Sequence, residues 1–203
     1  MPDRPETHKE VFDRIGTKIR RGSMRVSFHP GQYTVLNSPD EDVVARAIED
    51  LIYHDKILTA LGTDATNKIV LHVGGIYGDK EAALDRFAEN FQRLPESVQN
   101  RLIIENDDRL YNSEEVLELT NRLQIPSVFD NLHHAINPPP SGGDDRYWIA
   151  AAAKTWKARD GKQKIHYSQQ APGKRPGAHT DTIQLDTFQQ FYNQLDDPTI
   201  DIM

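Results

Sequence analysis

The sequence contains no cysteine. That excludes disulfides, thiolate metal sites, iron–sulfur clusters and thiol catalysis, and it fits a reducing, cytoplasmic compartment. Long apolar runs are also missing. No stretch approaches the roughly 20 residues needed to cross a bilayer, so no membrane partner is expected. The stretch Met1–Glu10 is polar and charged, unlike the apolar centre of a secretory leader. Basic residues are in deficit, with 24 Lys and Arg against 31 Asp and Glu, a formal charge of −7. That balance argues against broad adhesion to nucleic acid but leaves room for a locally positive or metal-filled cleft. Neither internal repeats nor low-complexity tracts occur. What remains is a chain of 203 residues, 37% hydrophobic and 27% charged. This is the composition of a globular protein, long enough for one domain over residues 1–203 with its own core.

The chain alternates short apolar runs with longer amphipathic stretches. The runs are Met24–Phe28, Lys68–Val73, Arg101–Ile104, Pro126–Phe129, Lys164–Tyr167 and Thr199–Met203. Several are continuously apolar, as in strands buried on both faces of a parallel sheet. Helical spacing is read between them. It runs from Asp42 to Leu61 with Gly62 as a stop, from Lys80 to Leu94 ended by Pro95, and from an Asn112 or Ser113 cap to Leu123. Two more helices are expected over Arg146–Lys157 and Thr187–Leu195. Six strand–helix units, or nearly so, predict a parallel α/β sheet with right-handed crossovers. Pro138–Gly143 and Ala171–Gly177 read as excursion loops.

The strand ends carry the chemistry. His29 ends the first run and His72 lies in the second, before Val73-Gly74-Gly75. Glu105 ends the third, followed by Asn106-Asp107-Asp108. Asp130 ends the fourth, followed by His133 and His134. The fifth holds Lys164 and His166, and a later loop supplies His179 and Asp181. In parallel α/β folds the C-terminal strand ends form the active face. Imidazoles and carboxylates there are the usual ligands of zinc or manganese. Glu105 and Asp130 are candidates to bridge two ions in a multinuclear site, which can activate water against a phosphodiester. Taken singly, each residue has a plainer reading: a hydrogen-bonded histidine, a helix cap at Asp130, a solvated loop at 106–108. Six of the eight histidines sit at, or just after, strand ends, however, and independent structural causes do not readily produce that. His8 and His54 are read as surface residues. No organic cofactor is expected.

Several segments closely resemble the UV damage endonuclease family. They are Ser27–Tyr33 (SFHPGQY) with Leu36-Asn37-Ser38, Leu71–Gly75 (LHVGG), Ile104–Asp108 (IENDD), Phe129–His134 (FDNLHH) and Lys164–Ser168 (KIHYS), in the family's order from about residue 11 onward. The resemblance implies a TIM-barrel, (β/α)8, DNA-repair nuclease holding up to three manganese ions, with zinc or magnesium as alternatives. Such an enzyme hydrolyses the phosphodiester immediately 5′ to a UV photoproduct in damaged double-stranded DNA. Carried over, the metal ligands would be His29, His72, Glu105, Asp130, His133, His166 and His179. Glu105 would bridge two ions and serve one with His29 and His72. Asp130 and His166 would hold the central ion, and His133 and His179 the third. Glu105, Asp130, His166 and Lys164 would carry the chemistry, Lys164 matching a strand lysine that family members can carry carboxylated. Gln32 and Tyr33 match a pair that probes the lesion. Such roles fit their chemistry, since Tyr33 can stack on an unpaired base and Gln32 can bond to base edges; core packing is the alternative for Tyr33. Lys174 and Arg175 are the candidates for phosphate contacts, with a solvated loop as the alternative. His134 is one for a phosphate contact or for support of His133, and Asn106, Tyr167 and Ser168 for similar support.

The pattern also departs from the family. A TIM barrel has eight strands and typically about 250 residues, and only six runs are read here. The segments align as strands three to eight, without the first two strands or the end of the last. The expectation is therefore an internal fragment with open sheet edges, weakly active alone or dependent on self-association. Two other functions compete. A xylose-isomerase-like sugar isomerase or epimerase also places metals at strand ends, but on carboxylate-rich sites. A truncated barrel could bind metal or DNA without cutting.

Overall fold

The computed structural model describes residues 7–203, so the first part of the stretch Met1–Glu10 lies outside the described residues. The chain divides into two compact units, one ending at Ile103 and one running from Ile104 to Met203.

The first unit holds α1 (Lys9–Arg21), α2 (Glu41–Ala60), β1 (Ile69–His72), α3 (Lys80–Phe91) and α4 (Glu96–Arg101), and the start of β2 (Leu102–Glu105). Asp40 opens α2 by accepting the Asp42 and Val43 amides, and Asp79 opens α3 by accepting the Ala82 amide. Their buried apolar residues are Val44, Ala47, Leu51 and Leu58 on α2, and Ala83, Phe87 and Phe91 with Ala88 on α3. Ile69, Val70 and Leu71 are buried together, as a strand covered on both faces requires. Gly16 brings α1 against the end of α2, because a Cβ there would sit 2.1 Å from the Leu61 carbonyl oxygen. Behind these elements a buried ion pair joins Arg101 Nε to Asp55 Oδ1 at 2.7 Å. The same guanidinium donates to the Thr63 and Asn67 carbonyls, fixing the turn before β1.

Met24–Phe28 is not a strand, contrary to the expectation. Only Phe28 forms a parallel bridge, to Ile69. The positions before it are occupied by side-chain bonds. The Val26 amide donates to Asn67 Oδ1 at 2.8 Å, and Arg25 donates to the Thr66 carbonyl. Met24 is exposed.

The second unit continues β2 and adds α5 (Ser113–Leu123), β3 (Ser127–Asp130), α6 (Asn131–Ile136), α7 (Asp145–Ala153), β4 (Lys164–His166), α8 (Leu185–Tyr192) and β5 (Asp201–Ile202). β2, β3, β4 and β5 are neighbours in that order, and their pairings are parallel. Asn112 opens α5 with a reciprocal capping box to Glu115. Register does the sorting of side chains. Phe129 pairs with Ile165 and Asp130 with His166, and alternation sends the two pairs to opposite faces. Phe129 and Ile165 join Trp148 and Ile149 in a buried cluster. The indole N–H of Trp148 donates to the Gly142 carbonyl and that of Trp156 to the Ser127 carbonyl. Residues 138–143 and 171–177 are loops, as expected. The helix read to Lys157 stops at Ala153, where Thr155 Oγ1 turns back to the Ala152 carbonyl. Among the described residues no helix is long and apolar enough to cross a membrane.

Candidate metal centre

In the first unit His72 is the last residue of β1, and His29 follows the Phe28 bridge to that strand. Their ring centroids lie 5.1 Å apart. The Val73-Gly74-Gly75 turn after His72 is tied down by Asn37. Its Nδ2 donates to the Gly75 carbonyl at 2.7 Å, while its own carbonyl accepts from Arg86 Nε at 2.9 Å. Gly74 has φ of +110°, and a Cβ there would lie 2.4 Å from Asn37 Oδ1, so this closeness requires glycine. Gln32 and Tyr33 sit on the loop after His29, and Tyr33 is 83% exposed. Core packing is thereby excluded for its ring.

In the second unit Glu105, Asp130 and His166 end three adjacent parallel strands. Each offers a ligand atom within 4.8 Å of the others. Glu105 and Asp130 are 1% and 3% exposed. His166 Nδ1 is 2.7 Å from Glu105 Oε1. A carboxylate only accepts, so His166 carries its proton on Nδ1. Asp130 also caps α6, its Oδ1 accepting the His133 amide at 2.8 Å. The cap and the candidate ligand are thus one residue. His133 Nδ1 stands 3.8 Å from both Glu105 Oε1 and Asp130 Oδ1. Burial, and then the charge of Glu105, push the Asp130 carboxyl above its usual range. Cationic His133 would oppose that shift.

Lys164 is buried two residues before His166 on β4, on the same face by alternation. His179 is exposed on the loop bridged to Gln170, its ring 6.3 Å from that of His133. Lys174 and Arg175 are exposed on the same loop. Two histidines depart from expectation. His134 is 5% exposed, held between Ser113 Oγ and the Gly143 carbonyl at 3.2 Å each. It anchors the Pro-rich loop and presents no surface to a phosphate. His54 is half-buried, bonded to the Asp50 carbonyl and set edge-on to Phe28. Asn106, between Glu105 and the turn, is buried and bonds to the backbone of Asp130.

Two nitrogen and oxygen donor groups, a histidine pair in one unit and a carboxylate–histidine group in the other, are chemically suited to a divalent cation of the zinc or manganese kind. Solved structures define the class. The crystal structure of SacUVDE superposes with a TM-score of 0.91 at 40% identity, covering 98% of this chain and 66% of that one. L-ribulose 3-epimerase gives a TM-score of 0.66 at 17% identity, covering 94% of this chain and 65% of that one. D-psicose 3-epimerase from Clostridium cellulolyticum H10 gives 0.59 at 15% over 83% and 62%. At such identities the two epimerases speak for the fold alone, an α/β fold of the TIM-barrel class.

The family is narrower. The UV-endonuclease UvdE model matches residues 5–203, and the chain belongs to that family. The UV DNA damage endonuclease of Clostridium perfringens is 42% identical over 200 residues, 96% of this chain and 47% of that protein. Its counterpart in Bacillus velezensis is 35% identical over 195 residues, 93% of this chain and 61% of that protein. The chain thus spans between about half and three-fifths of the length of these relatives.

Proposed function

We propose that this chain carries much of the apparatus of a DNA-repair endonuclease, one that hydrolyses the phosphodiester immediately 5′ to UV photoproducts and related lesions in double-stranded DNA. The observation that carries the reading is the group Glu105, Asp130 and His166, with ligand atoms within 4.8 Å, in a member of the UvdE family. Manganese is the preferred ion, with zinc and magnesium as alternatives. Glu105, Asp130 and His166 would hold a central ion. His29 and His72 would serve a second, and His133 and His179 a third. When bound, such ions supply Lewis acidity to the scissile phosphate and to the attacking water.

The remaining work falls to the chain's own groups. The Glu105 carboxylate orients His166 through its Nδ1 proton, and the α6 cap orients Asp130. Lys164, on the face of His166, would offer positive charge to the phosphate or, carboxylated, a further ligand. The exposed Tyr33 ring is free to stack on an unpaired base, and Gln32 to hydrogen-bond beside it. Lys174 and Arg175 would neutralise phosphates. Lesion selectivity would follow from the lower cost of disrupting weakly stacked DNA. A cytoplasmic location goes with this role.

A nicking assay on irradiated supercoiled plasmid tests the proposal, run with manganese and with chelator. Manganese-dependent nicks confined to irradiated plasmid are expected. Equal cutting of undamaged plasmid, or cutting that survives chelation, would overturn it. Binding of irradiated DNA without any nick would assign this chain recognition alone.

A further inference from the structure

We infer that Asn106 is the positioning residue of the candidate metal centre, holding Asp130 and His133 in one arrangement with Glu105, which it follows in the chain. The inference rests on the metal-centre reading above. Asn106 is buried, 1% exposed. Glu105 precedes it in the chain. Its side chain spans the next strand end reciprocally: Oδ1 accepts the Asp130 amide at 2.8 Å, and Nδ2 donates to the Asp130 carbonyl at 3.1 Å. Its main-chain carbonyl lies 2.9 Å from His133 Nδ1. A carbonyl oxygen can only accept, so His133 carries its proton on Nδ1. The lone pair is then on Nε2.

The arrangement answers a geometric problem. β2 and β3 are paired up to Glu105 and Val128. Past that point the ladder stops, yet the carboxylates of Glu105 and Asp130 must keep a fixed separation. The Asn106 amide replaces the missing main-chain bonds at the position where Asp130 leaves the strand and caps α6. The same device recurs one strand further on, where Asn131 accepts the Ser168 amide at 2.8 Å and donates to its carbonyl at 3.0 Å. Of these two asparagines, only Asn106 bonds directly to residues that offer ligand atoms. Ligand-orienting hydrogen bonds of this kind are commonly worth about 10- to 100-fold in metal affinity.

Asn106→Ala and the milder Asn106→Ser test this in the full 203-residue chain. The control is Thr155→Val, which removes a buried bond to the Ser127 amide at the other end of β3 and so weakens the same strand without touching a candidate ligand. Titration with Mn2+ by calorimetry, and with Co2+ by its visible absorption, reads the site without reference to cleavage. The expected result is a Kd raised about 10- to 100-fold and an altered Co2+ spectrum in both Asn106 variants. Thr155→Val should bind within about twofold of the unaltered chain at a similar loss of Tm. Should all three variants weaken binding in proportion to lost stability, Asn106 is a structural residue and the inference is wrong. Unchanged affinity in the Asn106 variants also overturns it while leaving the metal centre standing. No binding by the unaltered chain removes the metal centre and this inference together.

Discussion

Asp130 serves two ends that pull against each other. As the cap of α6 its carboxylate accepts the His133 amide. As a neighbour of Glu105 in a buried place, it is pushed toward the protonated form. The folded carboxyl binds its proton more tightly than the unfolded one. Without metal, stability therefore falls as pH rises from the unfolded value of 3.8 through the raised folded value, and the cost of the charge is fully present above it. Asp130→Asn keeps an oxygen for the cap and removes the charge. It should raise the Tm of the metal-free protein at neutral pH, by an amount corresponding to about 0.5–2 kcal/mol, and the gain should shrink as the pH is lowered. The same change should weaken Mn2+ binding. Thermal melts across pH with and without Mn2+ check both. Glu105, Asp130, His166 and His133 were legible as strand-end donors because imidazole and carboxylate side chains have few other reasons to gather there. Burial of His134 and His54 was not legible, since a histidine satisfied by one hydroxyl or carbonyl leaves no trace in residue spacing. Asn106 was legible as a candidate for supporting the ligands, but its partners were not, because its role lies in which backbone it bonds.

Helices with a clear apolar period and a capping side chain could be read to within a few residues: α2, α3 and α5 begin where Asp40, Asp79 and Asn112 accept amides. Replacing Asn112 by Ala removes the capping box of α5 and should cost about 1 kcal/mol, seen as a lower midpoint in urea at unchanged slope. α4 and α6, six residues each, are too short to show a period. α1 escaped notice because charge dominates it and it buries little beyond Gly16 and Ile19. Gly16 makes a sharper test of that helix. In an open helix Gly→Ala usually stabilises by up to about 1 kcal/mol. Here the new methyl would meet the Leu61 carbonyl at 2.1 Å. Gly16→Ala should instead destabilise by about 1–3 kcal/mol, measured by the same urea titration. The false strand at Met24–Phe28 has the opposite cause. Its residues suit a strand, but the amide that a neighbouring strand would have used is taken by Asn67.

For the molecule as a whole, the charge of −7 opposes a polyanionic partner, so the proposed binding to DNA should depend strongly on bound cations and on the basic loop. Irradiated duplex should bind more tightly with Mn2+ than with chelator. Replacing Lys174 and Arg175 by Ala should lower the dependence of log K on log salt by about one unit per lost phosphate contact. Filter binding across a salt series measures both. A saturating ion also adds stability by mass action, about 2.7 kcal/mol at a hundredfold excess over Kd. The two tryptophans bear on a different property. Trp148 and Trp156 are the chain's only two, and both lie in the second compact unit, bonded to Gly142 and Ser127. Their fluorescence therefore reports the unfolding of one half of the molecule, while far-ultraviolet circular dichroism reports the helices of both. Coincident transitions from the two signals would make the chain a single cooperative unit, and separated ones would show two. The placement of two indoles gives the protein a built-in, label-free optical reporter of whether its halves melt as one.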